Sequence, residues 1–183
     1  FTHSSSHVAI GDWDQDGDVD LMTGHGRSVS NEGVAILLND GTGGFSAAPE
    51  YVRTFPTWQP NTLSVGDVNA DGDLDVLLSG SDKNVTLLIG ADNASFGRFG
   101  LPRADAADKV ALADVDGDGD DDAIVAQPVN VSPSNLGSPG IFVYISNGDD
   151  TFEAPVEYST GFEDNPYTQS LVTGDINNDG YPD

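Results

Sequence analysis

The sequence contains no cysteine and very few basic residues. Its 183 residues include 6 Lys and Arg against 31 Asp and Glu, which gives a formal net charge of -25 at pH 7. The absence of Cys excludes disulfides, thiol catalysis and zinc–thiolate sites. The shortage of Lys and Arg argues against binding to nucleic acids and to anionic membranes, because both depend on positive charges that neutralise phosphate.

Long apolar runs and helix-type surfaces are also missing. The longest apolar run, about Val34 to Leu38, is far shorter than the ~20 residues of a transmembrane helix, so we expect no membrane insertion. The acids comprise 26 Asp and only 5 Glu, and there are 22 Gly and 10 Pro. Asp, Gly and Pro favour turns over helices. Short apolar clusters such as VAILL and IFVYI nevertheless recur and can form a packed core.

What is present is an internal repeat. The acidic runs begin at Asp12, Asp67, Asp114 and Asp175, which are 55, 47 and 61 residues apart. Unequal spacing around a constant core indicates one structural unit repeated with loops of different length. The four aligned segments are HVAIGDWDQDGDVDLM (7–22), TLSVGDVNADGDLDVLL (62–78), KVALADVDGDGDDDAIV (109–125) and SLVTGDINNDGYPD (170–183).

Each unit predicts several short strands. Apolar runs lie before the acidic run, directly after it (DLMTG, DVLLSG, DAIVAQ) and again further on (AILLN, TLLIG, FVYIS). A weaker fourth strand is predicted at YVRTF in the first unit and PVEYS in the third, whereas none is predicted in the second, since RADAADK is a poor strand sequence. A four-stranded unit repeated about every 50 residues is typical of a β-propeller blade.

The predicted fold class is therefore all-β, a β-propeller of four-stranded antiparallel blades. We place blade 1 at about 7–56, blade 2 at about 62–107, blade 3 at about 109–160 and the start of blade 4 at about 170–183. Three blades and part of a fourth do not close a ring. The rest of the propeller is therefore expected from the same longer chain or from oligomer partners, since an open ring leaves sheet faces and edges exposed.

The acidic run of each unit has the pattern of a cation-binding loop. The shared pattern D-x-[DN]-x-D-G-x-x-D lies at 12–20, 67–75, 114–122 and 175–183, and we number these segments metal loops 1 to 4. Side chains at positions one, three, five and nine and the carbonyl at position seven can converge on one ion, while Gly at position six permits the turn. The predicted ligands are Asp12, Asp14, Asp16, Asp18, Asp20, Asp67, Asn69, Asp71, Asp73, Asp75, Asp114, Asp116, Asp118, Asp120, Asp122, Asp175, Asn177, Asp179, Tyr181 and Asp183.

Oxygen ligands in this number predict calcium, about four ions in all, because calcium takes about six to eight oxygens and magnesium fewer from protein. The alternative is that each run is a solvated acidic turn. Four copies in one register argue against that alternative, since closely packed carboxylates repel one another unless a cation lies among them. An EF-hand is not predicted, because its loop needs Glu at the twelfth position, where this chain has Thr23, Leu78 or Val125.

The repeat resembles a known family. The order of its parts resembles the FG-GAP repeat. An apolar strand is followed by G-D and the acidic loop, then by a second apolar strand, and then by a third apolar run that ends in a polar turn, Phe and Pro. This repeat, also called VCBS-type, occurs in integrin α-subunit propellers and many secreted bacterial proteins. The resemblance covers nearly the whole chain and implies a propeller, usually seven-bladed, with calcium in the loop that joins the first two strands of a blade. The second unit departs from the pattern, with GADNASFGRFGLP where a Gly-rich turn is usual.

A candidate ligand-binding surface lies at the end of the blades opposite the metal loops. The connections expected there carry aromatic side chains beside amides, a combination that suits recognition of sugars or peptides. The candidates are Trp58, Gln59, Tyr167 and Gln169. The alternative is that Trp58 and Tyr167 pack between blades.

These features favour an extracellular or cell-surface calcium-binding propeller module for adhesion or for recognition of a glycan or an extracellular protein. Weak calcium sites suit the high calcium concentration outside cells. The alternatives are the propeller scaffold of a secreted polysaccharide-degrading enzyme and a structural component of a surface or filament. We expect this chain not to be an enzyme, since it has neither an HExxH nor a G-x-S-x-G motif. Sequons at Asn84, Asn93 and Asn130 are weak evidence for glycosylation.

Overall fold

The computed structural model describes residues 7–25, 33–47, 52–53, 60–80, 84–91, 95–101, 107–127, 140–160 and 170–183. Within these residues the chain forms thirteen β-strands and no helix. A helix long and apolar enough to span a membrane is therefore not found in the described part of the chain.

The strands form three antiparallel sheets, which we name blades 1, 2 and 3. Strands that follow one another in sequence pair with one another, in the orders β1-β2-β3-β4, β6-β7-β8-β9 and β10-β11-β12-β13, and β5 also pairs with β3. This up-and-down order is that of propeller blades, so the predicted all-β fold class is confirmed. The strands are β1 (Val8–Gly11), β2 (Asp20–His25), β3 (Gly33–Asn39), β4 (Phe45–Ala47), β5 (Val52–Arg53), β6 (Pro60–Gly66), β7 (Asp75–Gly80), β8 (Val85–Ala91), β9 (Ser95–Phe99), β10 (Lys109–Ala113), β11 (Asp122–Gln127), β12 (Gly140–Tyr144) and β13 (Val156–Ser159).

Hydrophobic side chains join the blades face to face. Along β7, Val76 and Leu78 pack against blade 1 while Leu77 packs against blade 3, because successive side chains of a strand point to opposite faces. Blade 2 is thus covered on both faces, which explains why β7 and β8 are nearly continuous apolar runs. Each fully buried side chain of this size contributes about 1.5–3 kcal/mol, so stacking of blades is a main source of stability.

Two clusters make these interfaces. Between blades 1 and 2 lie Trp13, Met22, Val34, Ile36, Val76, Leu78 and Leu88. Between blades 2 and 3 lie, among others, Leu77, Leu87, Ile89, Val110, Leu112, Val125 and Tyr144. A smaller cluster of Ala111, Ala113 and Ile124 on the far face of blade 3 contacts Leu171 of the fourth repeat.

The outermost strands differ from the sequence prediction. The prediction that the second unit lacks a fourth strand is wrong, because β9 pairs with β8 from Leu87↔Phe99 to Ala91↔Ser95. In the first unit the described part of YVRTF is the two-residue strand β5, and β4 pairs with the other half of β3. The strand predicted at PVEYS is confirmed as β13. The exposed segments of β4 and β9 lack an apolar pattern, so the sequence gives little sign of them.

The fourth repeat begins differently from the others. Its apolar stretch SLVTG predicts a first strand, but residues 170–174 belong to no sheet in the described part of the chain. The end of the segment is nevertheless hydrogen-bonded, because the carbonyl of Gly174 accepts the N–H of Asp183 (2.9 Å) at the base of metal loop 4. Leu171 of the segment also packs on blade 3.

Candidate metal centre

Each of metal loops 1 to 3 connects the first and second strands of its blade. Position one follows the first strand and position nine opens the second, so the base of the loop is closed by antiparallel pairing. In blade 2, for example, Gly66 pairs with Asp75. The equivalent pairs are Gly11 with Asp20 and Ala113 with Asp122.

The four loops share a backbone path that surrounds the carboxylate at position one. In loop 1 the two oxygens of Asp12 accept the N–H groups of Asp16 (3.1 Å) and Gly17 (3.0 Å). Asp67 and Asp175 accept the corresponding groups, and Asp114 accepts N–H groups from Gly117 and Gly119. Position six is left-handed in every loop, with φ of 93°, 89°, 104° and 97° at Gly17, Gly72, Gly119 and Gly180. Glycine is needed there because other residues rarely adopt that conformation.

In loops 1 to 3 position nine is a buried carboxylate with two backbone partners, whereas Asp183 of loop 4 is exposed. Asp75 accepts the N–H of Val68, position two of its own loop, and the N–H of Gly90 in the third strand, each at 2.7 Å. It therefore ties the loop to the blade. The equivalent donors are Trp13 and Asn39 for Asp20, and Val115 and Ser146 for Asp122.

Carboxylates at positions one, three and nine converge in loops 1 and 3. One oxygen from each of Asp12, Asp14 and Asp20 lies within 4.8 Å of the other two, and Asp114, Asp116 and Asp122 are arranged in the same way. Two ligands that are each about 2.3–2.6 Å from one calcium ion are at most about 5 Å apart, so these oxygens fit a single coordination shell.

An unpartnered oxygen supports the same interpretation in loop 1. Oδ1 of Asp14 is buried and has no hydrogen-bond partner among the described residues. A buried carboxylate oxygen without a partner is costly unless a donor or a cation faces it. The donor set of loop 1 therefore fits a hard divalent cation.

Loops 2 and 4 have Asn at position three. In loop 2 the amide oxygen of Asn69 accepts the N–H of Asp71 (3.1 Å), and Nδ2 donates to Oδ2 of Asp71 (2.9 Å). An amide oxygen can also bind calcium, but Asn lacks the negative charge that Asp supplies at position three. We therefore expect loops 2 and 4 to bind a cation more weakly than loops 1 and 3.

Position five lies outside the two converging groups. Its Oδ1 accepts the N–H of position seven in all four loops, at 2.9 Å in loops 1 and 2 and 3.0 Å in loops 3 and 4. This bond fixes the orientation of the carboxylate at position five. Its coordination of an ion, like that of the position-seven carbonyl, stays a prediction.

The electrostatics of the loops disfavour free carboxylates. Burial raises the pKa of Asp75 to about 6, although two backbone hydrogen bonds lower it. Burial also raises the pKa of Asp122. Desolvation, followed by the charges of Asp16 and Asp20, raises the pKa of Asp14. A divalent cation among these groups favours their ionised forms and opposes these shifts.

Sequence reasoning missed the residues that attach the loops to the rest of the blades. Ser146 contacts two of the loops, and Asp121, inside the third acidic run, contacts the second loop. The triple acid at 120–122 is the one signal that could have pointed to Asp121, since the nine-residue pattern leaves it without a ligand role.

The other predicted residues lie wholly or partly outside the described part of the chain. The candidate ligand-binding residues Trp58, Gln59, Tyr167 and Gln169 lie outside the described residues, and their role stays a prediction. Of the three sequons, Asn84 is exposed just before β8, whereas Asn93 and Asn130 lie outside the described residues.

Comparison with known families agrees with this organisation. The model of the FG-GAP-like repeat matches residues 12–78, 67–125 and 131–183. The first two matches begin at position one of loops 1 and 2 and end within β7 and β11, so each runs from one metal loop through the next. No curated protein matches the chain significantly. Since the matched residues make up most of the sequence, the chain belongs to the FG-GAP-like repeat family.

Proposed function

We propose that the chain is part of an extracellular propeller module in which calcium bound at metal loops 1 to 4 stabilises the blades. The observation that carries the proposal is the convergence of carboxylates at positions one, three and nine in loops 1 and 3. It is supported by the buried, unpartnered oxygen of Asp14. None of the four loops contains a Lys or Arg that could balance these charges.

Calcium in these loops has a structural role in this proposal. Position nine is already bonded to the third strand in blades 1 and 2, and to Ser146 just beyond that strand in blade 3. A cation held there therefore connects the metal loop with the first three strands of these blades. A ligand at 100 times its dissociation constant adds about 2.7 kcal/mol per site if it does not bind the unfolded chain. For a chain of this size that corresponds to roughly 5–10 °C in melting temperature for each saturated site.

The module serves adhesion or recognition of a glycan or an extracellular protein. A rigid scaffold with long connections at one end is a common way to present a binding surface. Trp58 and Tyr167 are the proposed contact residues. Trp58→Ala and Tyr167→Ala should weaken ligand binding on a glycan array, while the effect of calcium on the melting temperature stays as in the parent chain.

Isothermal titration with calcium, together with melting curves in calcium and in chelator, tests the metal proposal. We expect about four binding events and a markedly lower melting temperature in chelator. Asp14→Asn should remove or weaken one site at least tenfold, since it removes a charge from loop 1. Asp40→Asn is the matched control: Oδ1 of Asp40 accepts hydrogen bonds within the third-to-fourth turn, which an Asn oxygen can keep, and all sites should remain. Identical melting curves in calcium and chelator would contradict the proposal.

A further inference from the structure

Metal loops 2 and 3 are joined by hydrogen bonds across the interface between their blades. The N–H of Asp67 donates to Oδ2 of Asp121 (2.9 Å), and the N–H of Asp121 donates to the carbonyl of Asp67 (2.8 Å). Asp67 is position one of loop 2. Asp121 is position eight of loop 3, between ligand positions seven and nine, and is not itself a predicted ligand. It therefore holds the backbone of a predicted ligand in the neighbouring loop.

The next two residues of loop 2 also reach blade 3. The carbonyl of Val68 accepts a hydrogen bond from Oγ of Ser146 (2.5 Å), whose own N–H donates to Oδ1 of Asp122 (2.9 Å), position nine of loop 3. Nδ2 of Asn69 donates to Oδ1 of Asp150 in the third-to-fourth turn of blade 3 (2.8 Å). Three consecutive residues of loop 2 are thus bonded to the blade that carries loop 3.

The side chain of Asp121 is fixed by packing as well. It is half-buried, and its Oδ2 lies so close to Gly66 that a Cβ at that position would overlap it. Loop 1 contacts loop 2 in a different way, through an exposed side-chain hydrogen bond from Gln15 to Asp73 (2.5 Å). Loop 1 can therefore serve as an internal comparison.

We propose that Asp121 is a positioning residue that couples loops 2 and 3, so that a cation in loop 3 raises the affinity of loop 2. The inference rests on the proposed function, since it concerns cations bound at these loops. A cation in loop 3 orders positions seven and nine on both sides of Asp121, which then holds Asp67. Loop 2 loses less conformational freedom on binding, and its affinity rises. The coupling is reciprocal by thermodynamic linkage.

Direct electrostatics acts with the opposite sign. A cation in loop 3 repels a second cation and neutralises acids that would attract it, which lowers the affinity of loop 2. The sign of the measured coupling therefore distinguishes ordering through Asp121 from charge alone.

The experiment is a calcium titration of the full 183-residue chain, monitored by NMR. The amides of Gly17, Gly72 and Gly119 report on loops 1, 2 and 3 separately. Asp116→Ala removes position three of loop 3 and leaves the bonds of Asp121 in place. We expect the response at Gly119 to be lost and the dissociation constant at Gly72 to rise roughly fivefold or more, the lower end of typical couplings. The response at Gly17 should not change.

Two further variants separate the hydrogen bond from the charge. In an Asp121→Asn background, which keeps an acceptor oxygen, Asp116→Ala should still weaken loop 2, whereas in an Asp121→Ala background it should not. Equal behaviour of the Asn and Ala backgrounds would show that the acceptor oxygen at position 121 does not carry the coupling, and would overturn the inference. If the Asp121→Ala variant does not fold, Asp116→Ala in the parent chain still tests the inference. An unchanged or lower dissociation constant at Gly72 overturns the inference and leaves the proposal of calcium binding intact. No response at any of the three amides overturns the proposed function together with the inference.

Discussion

At the scale of single residues, Asp75 combines a structural role with a predicted role in cation binding. Its side chain is fully buried, and its two oxygens accept the N–H groups of Val68 and Gly90. Asp71 in the same loop is exposed, and its side-chain hydrogen bonds with described residues lie within the loop. The stability of the fold therefore depends on Asp75 with or without calcium, whereas Asp71 contributes to stability mainly when a cation is bound.

Replacement of these two acids by Ala should separate the roles. Asp75→Ala leaves two backbone N–H groups without acceptors, each costing about 1–3 kcal/mol, so the free energy of unfolding should fall by roughly 2–6 kcal/mol in calcium and in chelator alike. Asp71→Ala, the matched control, should lower it clearly in calcium and little in chelator. Urea unfolding under both conditions measures the difference. Similar losses for both variants in chelator would contradict these roles.

The raised pKa of Asp75 predicts an unusual pH dependence for the metal-free protein. The pKa rises from 3.8 to about 6 on folding, because burial disfavours the charged form. Protonation therefore favours the folded state: the contribution is fully present below the unfolded value and is lost as pH rises through about 6. The melting temperature of calcium-free protein should increase as the pH is lowered from 7 to 5. In calcium it should decrease, because protons compete with the ion for the carboxylates.

Asp75→Asn provides the control for this pH effect, since Asn resembles the protonated acid. The variant should show a smaller rise in the absence of calcium. A residual rise is expected from Asp121 and Asp122, because burial raises the pKa of both groups as well. A calcium-free melting temperature that falls between pH 7 and 5 in the parent chain would show that the interpretation is wrong.

The sequence predicts the position of the acidic loops between the first two strands because their signal is local. Nine consecutive residues contain the acids and the glycine that shapes the turn, so the candidate ligands could be named without a structure. The partners of Asp75 and Asp121 are not local: Gly90 is 15 residues from Asp75, and Asp67 is 54 residues from Asp121. These contacts depend on the register of the third strand and on the stacking of blades, neither of which the nine-residue pattern contains.

At the scale of elements, the inner strands differ from the outer strands in how clearly the sequence predicts them. β7 and β8 are defined by buried apolar side chains, so their sequences predict them. β9 is largely exposed and contains Gly97, and it is held by backbone hydrogen bonds to β8. Such an edge strand has no clear signature in the composition of the sequence. For this reason the sequence predicts no fourth strand in the second unit.

A glycine precedes the acidic run in repeats 1, 2 and 4, and in blades 1 and 2 this glycine has a specific packing role. A Cβ at Gly11 would overlap the side chain of Leu74, and a Cβ at Gly66 would overlap that of Asp121. Both contacting residues occupy position eight of the metal loop in the next blade. The G-D pair of the repeat therefore marks a point of close contact between consecutive blades.

Alanine at these glycines should test this contact. Gly66→Ala should lower the free energy of unfolding by about 1–3 kcal/mol, because the added methyl group displaces Asp121 in a packed interface. Gly174 occupies the same position in the fourth repeat, and a Cβ there has no neighbour within 4 Å. Gly174→Ala should change stability by less than about 0.5 kcal/mol. Equal effects of the two substitutions in chemical denaturation would argue against the close contact at Gly66.

At the scale of the whole molecule, one face of blade 1 differs from its counterparts. Val8 and Ile10 are 64% and 65% exposed. The equivalent residues of blade 2, Leu63 and Val65, pack against blade 1, and those of blade 3 are buried against blade 2. The same sequence positions are thus covered wherever a preceding blade is present. That the three blades belong to a larger ring, which would cover this face, stays a prediction.

A matched pair of substitutions shows whether this face is covered in solution. Val65→Thr places a hydroxyl group in the interface between blades 1 and 2 and should lower the free energy of unfolding by about 1–3 kcal/mol. Ile10→Thr makes a similar change at the equivalent exposed position of the 183-residue chain, where the effect should be below about 0.5 kcal/mol. Thermal unfolding at several protein concentrations measures both. If Ile10→Thr is as destabilising as Val65→Thr, and the melting temperature of the parent rises with concentration, another copy of the chain covers the face, and the rest of the ring can come from oligomer partners. If Ile10→Thr has a small effect and the melting temperature does not depend on concentration, the face is exposed in the isolated chain. That result favours a preceding blade in the same polypeptide.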